Sequence, residues 1–285
     1  MKLIGVNCST LIDRDLRKTL QQVVDSGYTS CELSHDILPF MIGGEVSMPV
    51  VEYARSVMKE FDLNYTAHCC AGLDLRSTDN FELHKKTLYA SIDLCSLLGM
   101  KLITVHFEEK SKINWIERRF EETYREAAAY AEDKNVLIAI ENIEVEDYRY
   151  VIDIIEKINH PNFKMTLDVG HLFLSCNYFD QDFKKAVEES LPHLVNCHLN
   201  DNTGDFMEMR LQNFHAYKMV PMAFRTNFGL GDIHVPPYFG RIDFDYLIQR
   251  FSNIENLIYT CEYERDTFYQ FDKQVFEQIN AKING

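Results

Sequence analysis

Lys164-Met165-Thr166-Leu167-Asp168-Val169-Gly170-His171 is a short apolar run that ends in a carboxylate, a glycine and an imidazole. The run reads as a buried strand, and Gly170 reads as the turn that brings the Asp168 and His171 side chains to one point. Aspartate is a hard donor and histidine a borderline one, and the pair suits a divalent cation. Taken singly, the same residues more commonly describe a strand-end Asp that caps the next helix beside a surface His. Recurrence decides between them, because apolar runs elsewhere in the chain also end in His, Glu or Asp.

Working outward, short apolar runs alternate with helix-period segments. Strands are expected at Lys2–Asn7, Tyr28–Leu33, Leu63–His68, Lys101–His106, Val136–Glu141, Phe163–Asp168, Leu194–Leu199 and Leu257–Glu262. Helical periodicity fills the intervals; at Asp15–Ser26, for example, Leu16, Leu20, Val23 and Val24 fall on one face and Gly27 ends the run. Between Asp201 and Gly240 the periodicity lapses into a stretch rich in Phe, Met, Asn and Gly. Eight strand–helix units in 285 residues, with no linker or shift in composition, predict an α/β fold: a single (β/α)8 TIM barrel over residues 1–285 with a long functional loop after strand 7.

A net charge of −15 suits a small-molecule substrate and disfavours sequence-independent nucleic-acid binding, which needs phosphate-neutralising Lys and Arg. No apolar run has the length of a membrane span or a signal-peptide core, so a cytoplasmic protein with no membrane attachment is expected. Eight cysteines without a C-x-x-C pattern read as reduced, buried thiols.

In a barrel of this class the active site lies at the carboxyl ends of the strands. Strands 3 to 8 deliver His68, His106, Glu141, Asp168, His198 and Glu262 there, six successive donors that point to a convergent metal site. Alternation along the strands turns Cys197 and Cys261 outward when His198 and Glu262 face in. Farther on, Asp232-Ile233-His234 precedes a rigid Pro236-Pro237 step and adds a second carboxylate–imidazole pair.

These residues resemble the xylose-isomerase-like barrel superfamily, which groups sugar and sugar-phosphate isomerases and epimerases with endonucleases of the endonuclease IV type. The carriers are Ala67-His68, Val105-His106, Ile140-Glu141-Asn142, Leu167-Asp168-Val169-Gly170-His171, Cys197-His198-Leu199-Asn200-Asp201, Gly231 to Pro237, Gly240 to Phe244 and Cys261-Glu262-Tyr263. The resemblance implies that Glu141, Asp168, His198 and Glu262 hold one divalent ion, whether manganese, zinc, magnesium or cobalt. It implies further that Glu141 and Glu262, placed on opposite sides of the barrel mouth, exchange a proton with a carbohydrate-like substrate through a metal-stabilised enediolate. His68, His106, His171, Asp201, Asp232 and His234 are then additional metal or substrate contacts, and Arg241 meets an anionic group.

The endonuclease branch supplies the alternative, a three-zinc phosphodiesterase acting on abasic DNA, in which nine residues ligate: His68, His106, Glu141, Asp168, His171, His198, Asp232, His234 and Glu262. Val169-Gly170 stands where those enzymes usually have Thr-Cys, and no Arg- and Asn-rich loop follows the first strand. The isomerase or epimerase is therefore the expected activity. The Asn202–Gly231 stretch reads as a lid hinged at Gly229 and Gly231, or as a contact between copies of the chain in a homo-oligomer.

Overall fold

A computed structural model describes residues 2–285. Eight parallel strands close into a barrel: β1 (Ile4–Cys8), β2 (Ser30–Ser34), β3 (Asn64–His68), β4 (Leu102–His106), β5 (Leu137–Glu141), β6 (Phe163–Asp168), β7 (Leu194–Leu199) and β8 (Ile258–Cys261). Each strand pairs with its neighbours in sequence, and β8 returns to β1 through Ile4 opposite Tyr259. A two-residue antiparallel ladder, Met41–Ile42 with Glu45–Val46, stands apart from the barrel and turns through Gly43-Gly44.

The outer helices form where polar caps meet apolar stripes. Asp15 accepts from the backbone N–H groups of Arg17 and Lys18 and starts Leu16–Asp25, which buries Leu16, Leu20 and Val23. Val24, expected on that face, is exposed. Asp182 and Asp243 cap Phe183–Ser190 and Phe244–Phe251 in the same way, each cap contributing about 1 kcal/mol. The main apolar core lies between barrel and helices, where Val6, Leu33, Val105, Ile140, Leu167 and Leu199 are fully buried.

The barrel interior beneath its mouth is polar. Thr104 and Thr166 hydroxyls meet at 2.9 Å, Thr260 donates to Asn196 at 3.0 Å, and Asn196 donates to Glu32 at 3.3 Å. Pairing register then positions the strand ends: His106 lies opposite Glu141, and Asp168 opposite His198. In-register neighbours of a parallel pair project to the same face, so the four side chains enter the barrel mouth as two adjacent pairs.

Between β7 and β8 the chain makes an excursion that carries three short helices, Met209–Gln212, Phe214–Met219 and Met222–Phe228. Its base is tied by Gly231 N–H donating to the Asp205 carbonyl at 2.8 Å. Gly229 ends the last helix at φ +63°, a conformation that penalises any side chain. Among the described residues, no helix is long and apolar enough to cross a membrane.

Candidate active site

One oxygen or nitrogen from each of Glu141, Asp168, His198 and Glu262 lies within 4.8 Å of the others. Glu141 and Glu262 both reach the same imidazole nitrogen, His198 Nδ1, at 3.2 and 2.8 Å. Glu141, Asp168 and His198 are fully buried, whereas Glu262 borders a cavity of about 270 Å³ together with His68, His106, His171 and His234.

Asp168 does two things at once. Its Oδ1 accepts from His171 N–H at 2.6 Å and caps the helix Val169–Tyr178, while Oδ2 accepts from Asn200 at 2.6 Å. The side chain of Asn142 clamps the same residue, accepting from its N–H and donating to its carbonyl, both at 2.9 Å. Gly170 is not a turn; it lies in the first turn of that helix. A Cβ there would sit 1.8 Å from Asn200 Oδ1, so the missing side chain is what lets Asn200 reach Asp168.

His171 is buried rather than on the surface. Its Nδ1 faces the Asn142 carbonyl at 3.0 Å, and His234 Nδ1 faces the Glu262 carbonyl at 3.0 Å. A carbonyl only accepts, so each Nδ1 carries a proton. Each Nε2 then points to Asp232, His171 at 3.3 Å and His234 at 3.0 Å. His68 follows the same rule, with Nδ1 on the Cys69 carbonyl at 2.9 Å and Nε2 on Glu141 at 3.2 Å. His68, His106 and Glu141 form a second group of potential ligands, and Asp168, His171 and His234 a third.

Two expected residues stand outside this cluster. Asp201 is buried but accepts from the N–H groups of Asn202, Gly240 and Ile242, fastening the end of β7 to the chain before Phe244–Phe251. Arg241 is exposed, with its guanidinium 3.4 Å from the Thr203 carbonyl. Neither borders the cavity beside Glu262.

Two residues that carry the site were not anticipated. Glu32, buried on β2, lies 3.1 Å from His198 Nε2. Asn7 on β1 donates to Glu32 at 2.8 Å and to Glu262 at 3.1 Å. Strand alternation held the signal, since Glu32 stands between the apolar Cys31 and Leu33 and so must face the interior.

The cluster is strongly coupled. Burial alone would raise the Glu262 carboxyl, but His198 holds it down to about 2. Burial lifts Asp168 to about 6 against the pull of His171 and His234. Burial disfavours a charged His68, yet Glu141, Glu262 and Glu32 outweigh it and raise the imidazole to about 9. His106, less well matched by carboxylates, is lowered by burial to about 4.

Carboxylate oxygens and imidazole nitrogen without a thiolate form the donor chemistry of hard and borderline divalent cations. The nearby thiols do not compete, because Cys197 and Cys261 are buried in the apolar core outside the barrel interior. The residues present therefore fit a divalent metal.

The sequence profile of the xylose isomerase-like TIM barrel family matches residues 20–281. The chain belongs to that family. No curated protein matches it. Among solved structures it is similar to a D-tagatose 3-epimerase-like protein at 17% identity, covering 100% of this chain and 98% of the other with a TM-score of 0.71. A xylose isomerase-like TIM barrel protein from Mycobacterium smegmatis, in complex with magnesium, superposes at 14% identity, 99% and 98% coverage and a TM-score of 0.72. D-psicose 3-epimerase from Clostridium cellulolyticum H10, solved with D-tagatose, gives 15%, 99% and 99%, and 0.69. At these identities the similarity is one of fold.

Proposed function

We propose that this member of the xylose isomerase-like family is a divalent-metal-dependent isomerase or epimerase of a sugar or related hydroxy-ketone. The observation that carries the reading is the convergence of Glu141, Asp168, His198 and Glu262 on one point beside an open cavity. Two of the structurally similar proteins are described as 3-epimerases or like them, which supports the same class.

In this reading Glu141, Asp168, His198 and Glu262 hold the cation. With a cation bound, the site gains a Lewis acid that polarises a carbonyl and acidifies the adjacent C–H. Glu262, bordering the cavity and held ionised by His198, takes the proton from carbon. In an epimerisation Glu141, entering the step with a proton taken from water, gives it to the opposite face and ends ionised, and Glu262 releases the proton it took to water. In an isomerisation the neighbouring carbon, formerly the carbonyl carbon, receives the proton, while the hydroxyl on the first carbon gives up its own to the former carbonyl oxygen. His198, held between carboxylates at both nitrogens, orients the pair and transfers no proton itself. Asp168 is fixed by Asn142 and Asn200 and stays a ligand.

The deciding experiment measures metal content together with exchange of carbon-bound protons. The protein as purified should hold one tightly bound divalent ion and catalyse deuterium incorporation from heavy water into a ketose. The three-zinc phosphodiesterase expected as the alternative predicts three equivalents, cleavage of an abasic-site duplex and no exchange into any ketose.

A further inference from the structure

A second cavity of about 440 Å³ adjoins the first, and His106, His171, Asp232 and His234 border both. Its far side is built from the excursion between β7 and β8, including Tyr217, Lys218 and Arg225. A molecule seated at the barrel mouth therefore has room to extend over the shared wall toward these residues.

Arg225 is held in place but, among the described residues, has no counter-ion within 4.0 Å. Its Nη1 donates to the Tyr217 hydroxyl and, at 2.7 Å, to the Asp232 carbonyl, while its buried Nε has no acceptor. Among the described residues no carboxylate oxygen comes within 4.0 Å of Arg225 or Lys218, and Lys218 rests over the Phe214 ring at 4.4 Å. The other charges in this cavity are mostly matched. Arg210 pairs with Glu144 at 2.6 Å, and Asp232 with His171 and His234, while Glu108 faces at 3.9 Å only the His106 imidazole, which burial keeps neutral. Among the described residues Glu264 has no cation within 4.0 Å, and His234 and Arg225 act on its carboxyl from farther away.

We propose that Arg225, assisted by Lys218, binds an oxyanion at the terminus of the substrate, so that the substrate is an anionic hydroxy-ketone rather than a neutral sugar. A buried guanidinium N–H without an acceptor is costly to maintain, and its fork geometry matches phosphate or carboxylate oxygens. The anchor on Tyr217 and the Asp232 carbonyl leaves the guanidinium little freedom to lose on binding. The substrate class rests on the isomerase or epimerase reading; the oxyanion site itself does not. Arg241, expected from the sequence to meet an anionic group, is exposed and borders neither cavity.

The test titrates the full-length, metal-containing protein with inorganic phosphate and, separately, with acetate by calorimetry, and measures metal content in every variant. Wild type should bind phosphate, and Arg225→Gln should weaken binding about 10- to 100-fold, the contribution of one charge-assisted hydrogen bond, without loss of metal. Arg225→Lys should fall between them, and Arg241→Gln should match wild type. Acetate binding with the same dependence and no phosphate binding would assign the oxyanion to a carboxylate. No binding of either anion, equal binding by Arg225→Gln, or loss on Arg241→Gln instead would overturn the proposal. Arg225-dependent binding without proton exchange in any ketose would retain the oxyanion site and overturn the isomerase reading alone.

Discussion

Glu32 on β2 and His198 on β7 meet across the barrel interior, carboxylate to Nε2 at 3.1 Å, with both side chains fully buried. A carboxylate that accepts from one imidazole nitrogen fixes the ring and the tautomer, leaving the other nitrogen as the ligand. Here that nitrogen is Nδ1, which faces Glu141 and Glu262. Glu32→Gln should therefore lower affinity for the divalent ion about 10- to 100-fold, measured by competition with a chromophoric chelator. Glu32→Ala should also cost about 3–5 kcal/mol of folding stability by denaturant titration, because it leaves buried polar groups unmatched. Wild-type metal affinity in both variants would remove Glu32 from the site.

Glu262→Gln keeps the shape of the side chain and removes its basicity. Exchange of the carbon-bound proton should fall by at least about 100-fold. Glu141→Gln should do the same, with incorporation from solvent as the readout. Undiminished exchange in either variant would reassign that proton-transfer role.

Gly170→Ala tests the close approach of helix and loop. The new Cβ has to displace Asn200, and overpacking of this kind costs about 1–3 kcal/mol. Weaker metal binding should accompany the lower melting temperature, since Asn200 is bonded to Asp168. A change in melting temperature alone would confine Asn200 to a packing role.

The pH dependence of the metal-free protein follows from its raised imidazoles, His171 and His198 among them. His68 is raised to about 9 and His234 to about 10, in each case by nearby carboxylates that outweigh burial. A folded pKa above the ordinary value of about 6.5 gives stability that is complete below pH 6.5 and is lost as pH rises through the folded value. After chelation the melting temperature should fall between pH 6.5 and 9, by roughly 2–4 °C per kcal/mol lost. A flat or rising profile would show that these imidazoles are neutral in the folded protein.

Chelation itself should leave the helical circular dichroism nearly unchanged. The potential ligands sit at strand ends above an extensive apolar core, so the metal is not needed to replace one. Cooperative unfolding on metal removal would show a structural role instead.

The eight strands were legible because each is a short apolar run with a clear end, and the register then brings Asp168 beside His198 without further instruction. The helix Val169–Tyr178 escaped notice because it is buried on most sides, Leu172, Leu174 and Cys176 included, and so shows no polar face. The helices between residues 209 and 228 are four to seven residues long, too short to establish a period. Glu32 was missed because its partner is 166 residues away and it is not the last residue of its strand. Tertiary pairing of that kind leaves little trace in local pattern.

Asn7, from the first strand, donates to Glu262, which directly follows the last. The point of convergence is thus assembled from the first and last strands of the barrel, and a chain still emerging from the ribosome lacks it until the eighth strand is available to meet the first. The four side chains should therefore reach their final geometry only after the ring of strands has closed.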